Sequence, residues 1–396
     1  MLVNNRSTAL PVNPRPVIVA SPLPAQAVAQ PAAQPVAPPV QALQPSLLSR
    51  IWSGIGSLFH QGLALLLGAQ LTQVKTRQLL EDPGDVNDPT AADVATARST
   101  LARLAAPEQA ALARLAPAAR QQFQGLAKAV NDRPLARQAL QQLLLDDRLT
   151  TPLLGNLSTL ATAPLAPGID RPALLAEVVA ECQNPVRINQ HEVGTCGATT
   201  AQIVLARQDA AEYVRLVAGL ASPQGTVKAR GGATLRRQDS WAAPADGGRS
   251  TPSRLLQPAL MDLGALIPLN HYSNAEDREK LGPIGLWGGL LGDGEARVLR
   301  QITGANYENL TFFAWNRNGN WEKLKQAAAS GRGPVPLQLA WGPNGNAHFV
   351  QIDSVAGGKV VFVNPHGLRE QMDEAEFKAH ILQAQLPTAA PRMMLA

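Results

Sequence analysis

Cys196 occupies a position suited to a nucleophile. The segment NQHEVGTCGATTAQIVLA places it at the start of an apolar helix predicted over 197–220, after Gly194, which permits a tight turn. A thiol at a helix N-terminus feels the positive end of the dipole, so we expect its pKa to be lowered. A neighbouring imidazolium would lower it further and form a Cys–His ion pair. Gln190 carries a side-chain amide that would form an oxyanion hole with the backbone N–H of Cys196.

A second pair of polar residues lies near the C-terminus, in the segments HFVQIDS and KVVFVNP. These two segments alternate in polarity and flank Gly357 and Gly358, so they predict a β-hairpin. With the turn centred near Ala356, His348 lies opposite Asn364 on one face of the hairpin. The Asn oxygen would accept the proton of one ring nitrogen, which fixes the tautomer and leaves the other nitrogen to act as a base.

The order and intervals of these four residues resemble those of the papain-like (clan CA) cysteine peptidases. Gln190 precedes Cys196 by six residues, His348 follows about 150 residues later, and Asn364 comes sixteen residues after His348. The flanking residues look most like the C39-like branch, which is related to bacteriocin-processing leader peptidases. In that branch, a Gly follows the Cys and a Pro follows the third triad member, as in Cys196-Gly197 and Asn364-Pro365. The resemblance covers roughly residues 180–385.

The chain departs from the pattern of these families at three places. Papain has a paired cysteine and a Trp around its nucleophile, which Gly194-Thr195-Cys196-Gly197 lacks. The C39-like branch usually has Asp where this chain has Asn364. Papain shields its His–Asn pair with an aromatic residue, and His366 stands in that neighbourhood here. These differences concern the substrate and the close subfamily.

The resemblance implies an α+β papain-like fold, in which a helical subdomain carrying the nucleophile faces an antiparallel β subdomain. It implies a thiol-dependent hydrolase, a cysteine peptidase by default, with a Cys196–His348–Asn364 triad and Gln190 in the oxyanion hole. The substrate would be a peptide or a protein, and no metal or organic cofactor would be needed. Deamidases, amidases and acyltransferases use the same triad, so these activities and that of a toxin effector stay open.

The rest of the chain divides by composition. Residues 1–45 are rich in Pro, Ala and Gln and are predicted to form a disordered tail. Residues 46–80 contain a hydrophobic or amphipathic helix. Residues 85–168 are predicted to form short helices separated by prolines, and they could serve as a prosegment or an adaptor. Residues 170–396 form the predicted hydrolase domain.

The hydrophobic segment has no charged residue between Arg50 and Lys75. The favoured interpretation is a helix docked on its own protein. Insertion into a membrane and an interfacial position are the alternatives, so membrane contact through residues 51–74 stays open. A non-catalytic, membrane-acting protein that uses this segment is therefore the rival to the enzyme hypothesis.

Composition sets further bounds. The net charge is +5, but no Lys/Arg cluster is interleaved with aromatic residues, so a nucleic-acid partner is not predicted. Two cysteines cannot build a disulfide scaffold or a Cys-rich zinc site, and Cys182 is interpreted as structural. The first residues have no ordinary signal peptide, so we expect a cytoplasmic protein or a non-classical bacterial export route. The sequence leaves the oligomeric state open.

Overall fold

The computed structural model describes residue 69 and residues 74–242, 248–265, 271–281, 284–285, 289–331, 333–341 and 346–388. The predicted tail of residues 1–45 lies outside these residues. So does the hydrophobic segment 51–74, except for Ala69 and Val74. None of the helices within the described ranges is long and apolar enough to cross a membrane.

The first part of the described chain is helical, as its proline-separated apolar pattern predicts. Pro117, Pro134 and Pro152 each stand in the first turn of a helix, where the missing N–H costs no hydrogen bond. Thr90 and Asp93 begin the first helix as a reciprocal capping box. The helices are α1 (Ala91–Arg103), α2 (Ala105–Arg114), α3 (Pro117–Ala129), α4 (Pro134–Leu145), α5 (Thr151–Thr162) and α6 (Arg171–Gln183).

Four further helices carry and surround the residue predicted to be the nucleophile: α7 (Cys196–Gln208), α8 (Ala210–Ala221), α9 (Thr251–Gly264) and α10 (Gly292–Thr303). The single helix expected over 197–220 is therefore two. The chain breaks at Asp209, which leaves the helical conformation and accepts a hydrogen bond from the backbone N–H of Glu212 at 2.9 Å. One hydrophobic core runs from α2 to α10, so the predicted boundary near residue 168 falls inside a continuous core.

The second part is built on a seven-stranded antiparallel sheet in the order β1-β11-β10-β9-β8-β12-β7. Its strands are β1 (Gln78–Glu81), β7 (Tyr307–Thr311), β8 (Val335–Trp341), β9 (Asn346–Ala356), β10 (Lys359–Asn364), β11 (Leu368–Asp373) and β12 (Ile381–Pro387). Helices α11 (Arg317–Ala329) and α12 (Glu374–His380) pack on this sheet and form a second hydrophobic core with it. Helix α7 also packs against β9, so the molecule is an α+β protein.

Two small sheets complete the described elements. β2 (Thr226–Lys228) pairs with β3 (Thr234–Arg236), and β5 (Arg278–Leu281) lies between β4 (His271–Ser273) and β6 (Ile284–Gly285). Both are peripheral to the large sheet.

Strand β1 was not expected. It occupies residues 78–81 and pairs with β11, so the last residues of the segment assigned to a hydrophobic helix, 46–80, form a strand. Ala69 is buried against Ala340 and Leu382 of the same sheet. These contacts attach the chain before α1 to the sheet. Whether residues 85–168 act as a prosegment or an adaptor stays a prediction.

The turn of the predicted hairpin lies one to two residues later than expected. Ala356 pairs with Lys359, and Gly357 and Gly358 form a two-residue turn with φ values of 57° and 72°. Both values lie in the left-handed region that glycine adopts without a steric penalty, so the two glycines take the two central positions.

The register of the hairpin differs accordingly. Ile352 pairs with Phe362 after an irregularity in the ladder, so His348 is not directly opposite Asn364 but diagonal to it. The expected direct pairing is therefore wrong by two residues. Because an even shift keeps every side chain on its face, His348 and Asn364 remain on the same side of the sheet.

Candidate active site

Cys196 is the first residue of α7, as predicted. Thr195, at the N-cap, makes no side-chain cap hydrogen bond and instead donates to Oε1 of Gln257 at 2.8 Å. The first-turn N–H groups of α7 are therefore not capped by this hydroxyl. The backbone N–H of Gly194 donates to the carboxylate of Asp277 at 2.8 Å, which holds the preceding loop. The two residues before the cysteine are thus both held by hydrogen bonds.

The ring of His348 is fixed by Asn364. Nε2 of His348 lies 2.9 Å from Oδ1 of Asn364, and Nδ2 of Asn364 donates to Oε2 of Glu370 at 2.7 Å. A carboxylate only accepts, so the second bond sets the orientation of the amide and places its oxygen towards the imidazole. Nε2 therefore carries the proton, and Nδ1 of the neutral ring is the free base.

Cys196, His348 and Gln190 line one cavity of about 160 Å³. The structure thus brings these three predicted residues to a common space, with Asn364 behind the histidine. The other residues that line the cavity are Gly194, Gly289, Leu290, Gln338, Ala347 and Phe349.

Gln190 is held against the strand side of the site. Its backbone N–H donates to the carbonyl of Pro365 at 2.7 Å. Its Nε2 donates to the carbonyl of Val193 at 2.7 Å. One hydrogen of this amide group is used there and the other is left for a ligand, which suits the predicted oxyanion role. Oε1 of the same side chain is buried without a hydrogen-bond partner.

The protonation states differ from the expected ion pair. Burial raises the pKa of Cys196 to about 11, although the N–H groups of Phe349 and Gly197 lower it. Burial also lowers the pKa of His348 to about 4, against the opposing effect of its hydrogen bond with Asn364. At neutral pH both groups are uncharged, so the expectation of a thiolate at the helix N-terminus is wrong for this structure. Desolvation outweighs the helix dipole here.

Three residues beside the histidine were not predicted to belong to the site. The ring centroid of Trp341 lies 4.8 Å from that of His348, and the guanidinium of Arg77 lies 5.2 Å from the Trp341 ring centroid. Nε of Arg77 is also 3.4 Å from the Glu370 carboxylate. Glu370 of β11 pairs with Phe362 of β10, which lies two residues before Asn364. Glu370 therefore shares a face of the sheet with Asn364, and strand alternation could have identified it. Arg77 is about 270 residues from His348 in sequence, and no local signal could have found it.

The remaining candidates lie as follows. His366 is stacked on His348 with ring centroids 5.3 Å apart and an interplanar angle of 15°, so it covers the His–Asn pair. Cys182 is fully buried within α6, and burial raises its pKa well above the usual range of a thiol. Its environment agrees with the structural interpretation.

No protein-family model matches the chain, and no curated protein matches it. In the part of the chain that the structure describes, no group of three or more His, Cys, Asp and Glu side chains is arranged to hold a metal ion. The residues themselves therefore carry the functional argument.

Proposed function

We propose that this protein is a thiol-dependent hydrolase that cleaves peptide bonds, with Cys196 as nucleophile, His348 as general base and acid, and Asn364 as the residue that orients His348. The observation that supports it most strongly is the 2.9 Å contact between Nε2 of His348 and Oδ1 of Asn364, beside a cavity that Cys196 also lines. A histidine held in one tautomer by an amide, beside a cavity that a cysteine also lines, suits nucleophilic catalysis.

The raised pKa of Cys196 and the lowered pKa of His348 define the first chemical step. The thiol transfers its proton to Nδ1 of His348 as its sulfur attacks the substrate carbonyl carbon. A C–S bond forms, and the carbonyl oxygen takes the electron pair of the C=O π bond. Because both groups begin uncharged, proton transfer accompanies the attack rather than preceding it.

The tetrahedral oxyanion would be bound by the backbone N–H of Cys196 and the second Nε2 hydrogen of Gln190. When the intermediate collapses, the C–N bond breaks and the proton on His348 passes to the leaving amine. A water molecule then attacks the thioester, with His348 as its base, and releases the acid and the free thiol.

A papain-like arrangement fits the position of the groups. The nucleophile begins a helix of the helical part, while His348 and Asn364 stand on neighbouring strands of the antiparallel sheet. The backbone bond from Gln190 to Pro365 joins the two parts next to the site. This placement supports the papain-like assignment that the four-residue pattern suggested.

The test is cleavage of a denatured protein digest, analysed by mass spectrometry for new peptide termini. We expect the wild-type chain and Cys182→Ala to produce the same new termini, and Cys196→Ala and His348→Ala to produce none above background. Cleavage that persists in Cys196→Ala would contradict the proposal. A change in mass without new termini, lost in Cys196→Ala, would replace peptide hydrolysis with amide chemistry on side chains.

The rival proposal of a membrane-acting protein depends on residues 51–74, most of which lie outside the described residues. It stays a prediction. Its test is co-sedimentation of the wild-type chain and of Cys196→Ala with vesicles containing anionic lipid, with deletion of residues 51–74 as the control.

A further inference from the structure

Gln338 lies in the wall of the cavity that also contains Cys196. It stands on β8 directly opposite Phe349 of β9, which also lines the cavity. The side chain of Gln338 is only 3% exposed. Among the hydrogen bonds within the described ranges, none reaches its carboxamide.

An unpaired buried carboxamide is costly, because a desolvated donor or acceptor without a partner loses about 1–3 kcal/mol relative to water. Among the described residues that line this cavity, the cost applies to Gln190. Gln190, which is 6% exposed, also borders it and has a buried Oε1 without a partner. The cavity is thus lined by one glutamine with a buried unpaired oxygen and by a second, Gln338, whose carboxamide makes no hydrogen bond within the described ranges. This favours a polar ligand over an apolar one.

The rest of the cavity wall indicates which ligand fits. Among the described residues that line it, none carries a formal charge apart from the titratable Cys196 and His348, both neutral at neutral pH. Two carboxyl groups lie behind the wall. The carboxylate of Asp277 accepts from the backbone N–H of Gly194 at 2.8 Å. Oε2 of Glu295 lies 2.9 Å from where a Cβ on Gly197 would stand. Burial raises the pKa of Glu295 well above its usual range, which favours its neutral form.

These properties exclude two classes of ligand. A charged group entering this cavity would be desolvated without a counter-charge among the described side chains that line it. A purely apolar group would leave both glutamines unpaired. An uncharged amide supplies an acceptor and at least one donor, and so complements carboxamides on either side of it.

We propose that Gln338 is a specificity-determining residue, whose carboxamide binds an uncharged amide group of the substrate in the cavity beside Cys196. This inference rests on the proposed hydrolase function, since it names the substrate class of the same site. The amide is either a side-chain carboxamide of Gln or Asn, or a main-chain peptide unit.

The experiment uses chloroacetamide probes that alkylate Cys196 and differ only at their far end. They are the N-chloroacetyl derivatives of β-alaninamide, of its N-methylamide, of β-alanine and of isopentylamine, which end in a primary amide, a secondary amide, a carboxylate and an isopropyl group. The full-length chain is labelled at neutral pH, and the rate of Cys196 modification is measured by peptide mass spectrometry. Each rate is divided by the rate of the same probe with glutathione.

We expect the normalised rate of the primary-amide probe to exceed those of the carboxylate and isopropyl probes by about tenfold, the effect of one buried hydrogen bond. An equally fast secondary-amide probe would identify a main-chain peptide unit as the ligand, and a slow one would identify a side-chain carboxamide. Gln338→Leu, which keeps the size of the side chain, should bring the amide probe down to the rate of the isopropyl probe.

The control is Gln351→Leu. Gln351 is a fully buried glutamine of β9 whose Oε1 also lacks a partner, but it does not line the cavity, so the preference among probes should remain. Thermal melting of each variant shows that it is folded. Labelling of Cys196 without preference in the wild type, or a preference that survives Gln338→Leu, would overturn this inference and leave the hydrolase proposal intact. No selective labelling of Cys196 by any probe would overturn both.

Discussion

The backbone N–H of Gln190 donates to the carbonyl of Pro365 at 2.7 Å. Pro365 directly follows Asn364, and Gln190 lies in the loop that leads into Cys196. This single backbone bond therefore links the loop before the nucleophile to the residue after the one that orients the histidine. A β-bridge between Asn189 and His366 reinforces the link. The two segments that carry the site are therefore joined by main-chain atoms, while the imidazole ring itself is oriented by the Asn364 side chain.

Asn364→Ala should lower the proposed hydrolase activity without unfolding the chain. Without the amide oxygen, His348 loses the acceptor that holds its proton on Nε2, so Nδ1 is no longer reserved as the base. We expect kcat to fall about 100-fold, at the lower end of the range for general acid–base catalysis. Peptide cleavage rates and a urea titration of the same preparation check this. A variant with undiminished kcat would remove Asn364 from the mechanism.

Glu370 is expected to act through Asn364 as a positioning residue. Its Oε2 accepts from Nδ2 of Asn364 at 2.7 Å and so fixes which end of that amide faces His348. Glu370→Leu should therefore lower kcat about tenfold, the effect of one lost hydrogen bond. Glu370→Gln, which retains an acceptor oxygen, should recover most of it. If both variants behave alike, the carboxylate contributes only through packing or charge.

Arg77 is predicted to shift the pH dependence of the reaction. His348 accepts the thiol proton only when it is neutral, so activity should fall as the pH decreases through its pKa of about 4. The positive charge of Arg77 lowers the pKa of both His348 and His366. Arg77→Gln should therefore raise the pKa of His348 and move the acidic limb of kcat to higher pH.

The matched control for this shift is Arg369→Gln. Arg369 lies on β11 and pairs with Asp353 at 2.8 Å, so the same charge is removed without a contact to the histidines. Its acidic limb should coincide with that of the wild type. An acidic limb of the kcat–pH profile that moves to lower pH in Arg77→Gln, or that moves equally in both variants, would contradict the proposed effect of Arg77 on the pKa of His348.

Two glycine substitutions test the packing that supports the site. A Cβ on Gly294 would lie 2.4 Å from the backbone carbonyl oxygen of Gly264, which cannot rotate away, so α9 and α10 would have to separate. Gly294→Ala should lower the free energy of unfolding by about 1–3 kcal/mol.

The control is Gly319 of α11, where an added Cβ would have no atom within 4 Å. Gly319→Ala should raise the free energy of unfolding by about 0.5 kcal/mol through helix propensity. Urea denaturation measures both, and equal effects would refute the close contact.

Local patterns were sufficient for much of the fold. The starts of α9 and α10, the strands β8 to β10 and the N-cap of α12 at Asp373 follow from short-range signals of proline, glycine and alternation. The same alternation placed His348 and Asn364 on one face, even though the register was wrong by two residues. Next to the turn the register is shifted by three residues, and the irregularity between Val361 and Phe362 reduces the shift to two. Parity at His348 and Asn364 survived because this final shift is even.

Properties that depend on burial and on distant contacts could not be predicted. The sign of the pKa shift of Cys196 depends on how deeply α7 is covered, and the helix dipole alone suggested the opposite sign. The positions of Arg77 and Glu370 around Asn364 depend on the pairing of β1 with β11, which joins segments about 290 residues apart. A segment so short and so far from its partner strand has no local signature.

The most direct test of the central claim is competitive alkylation of the two cysteines. Folded wild type, His348→Ala and a urea-denatured sample would each be treated at neutral pH with limiting iodoacetamide, and the labels located by peptide mass spectrometry. The account predicts that folded wild type is labelled at Cys196 and not at the fully buried Cys182. It further predicts that His348→Ala slows the labelling of Cys196 about 100-fold through loss of the general base. Equal labelling of both cysteines, or a Cys196 rate that does not depend on His348, would contradict the assignment of Cys196 as a nucleophile activated by His348.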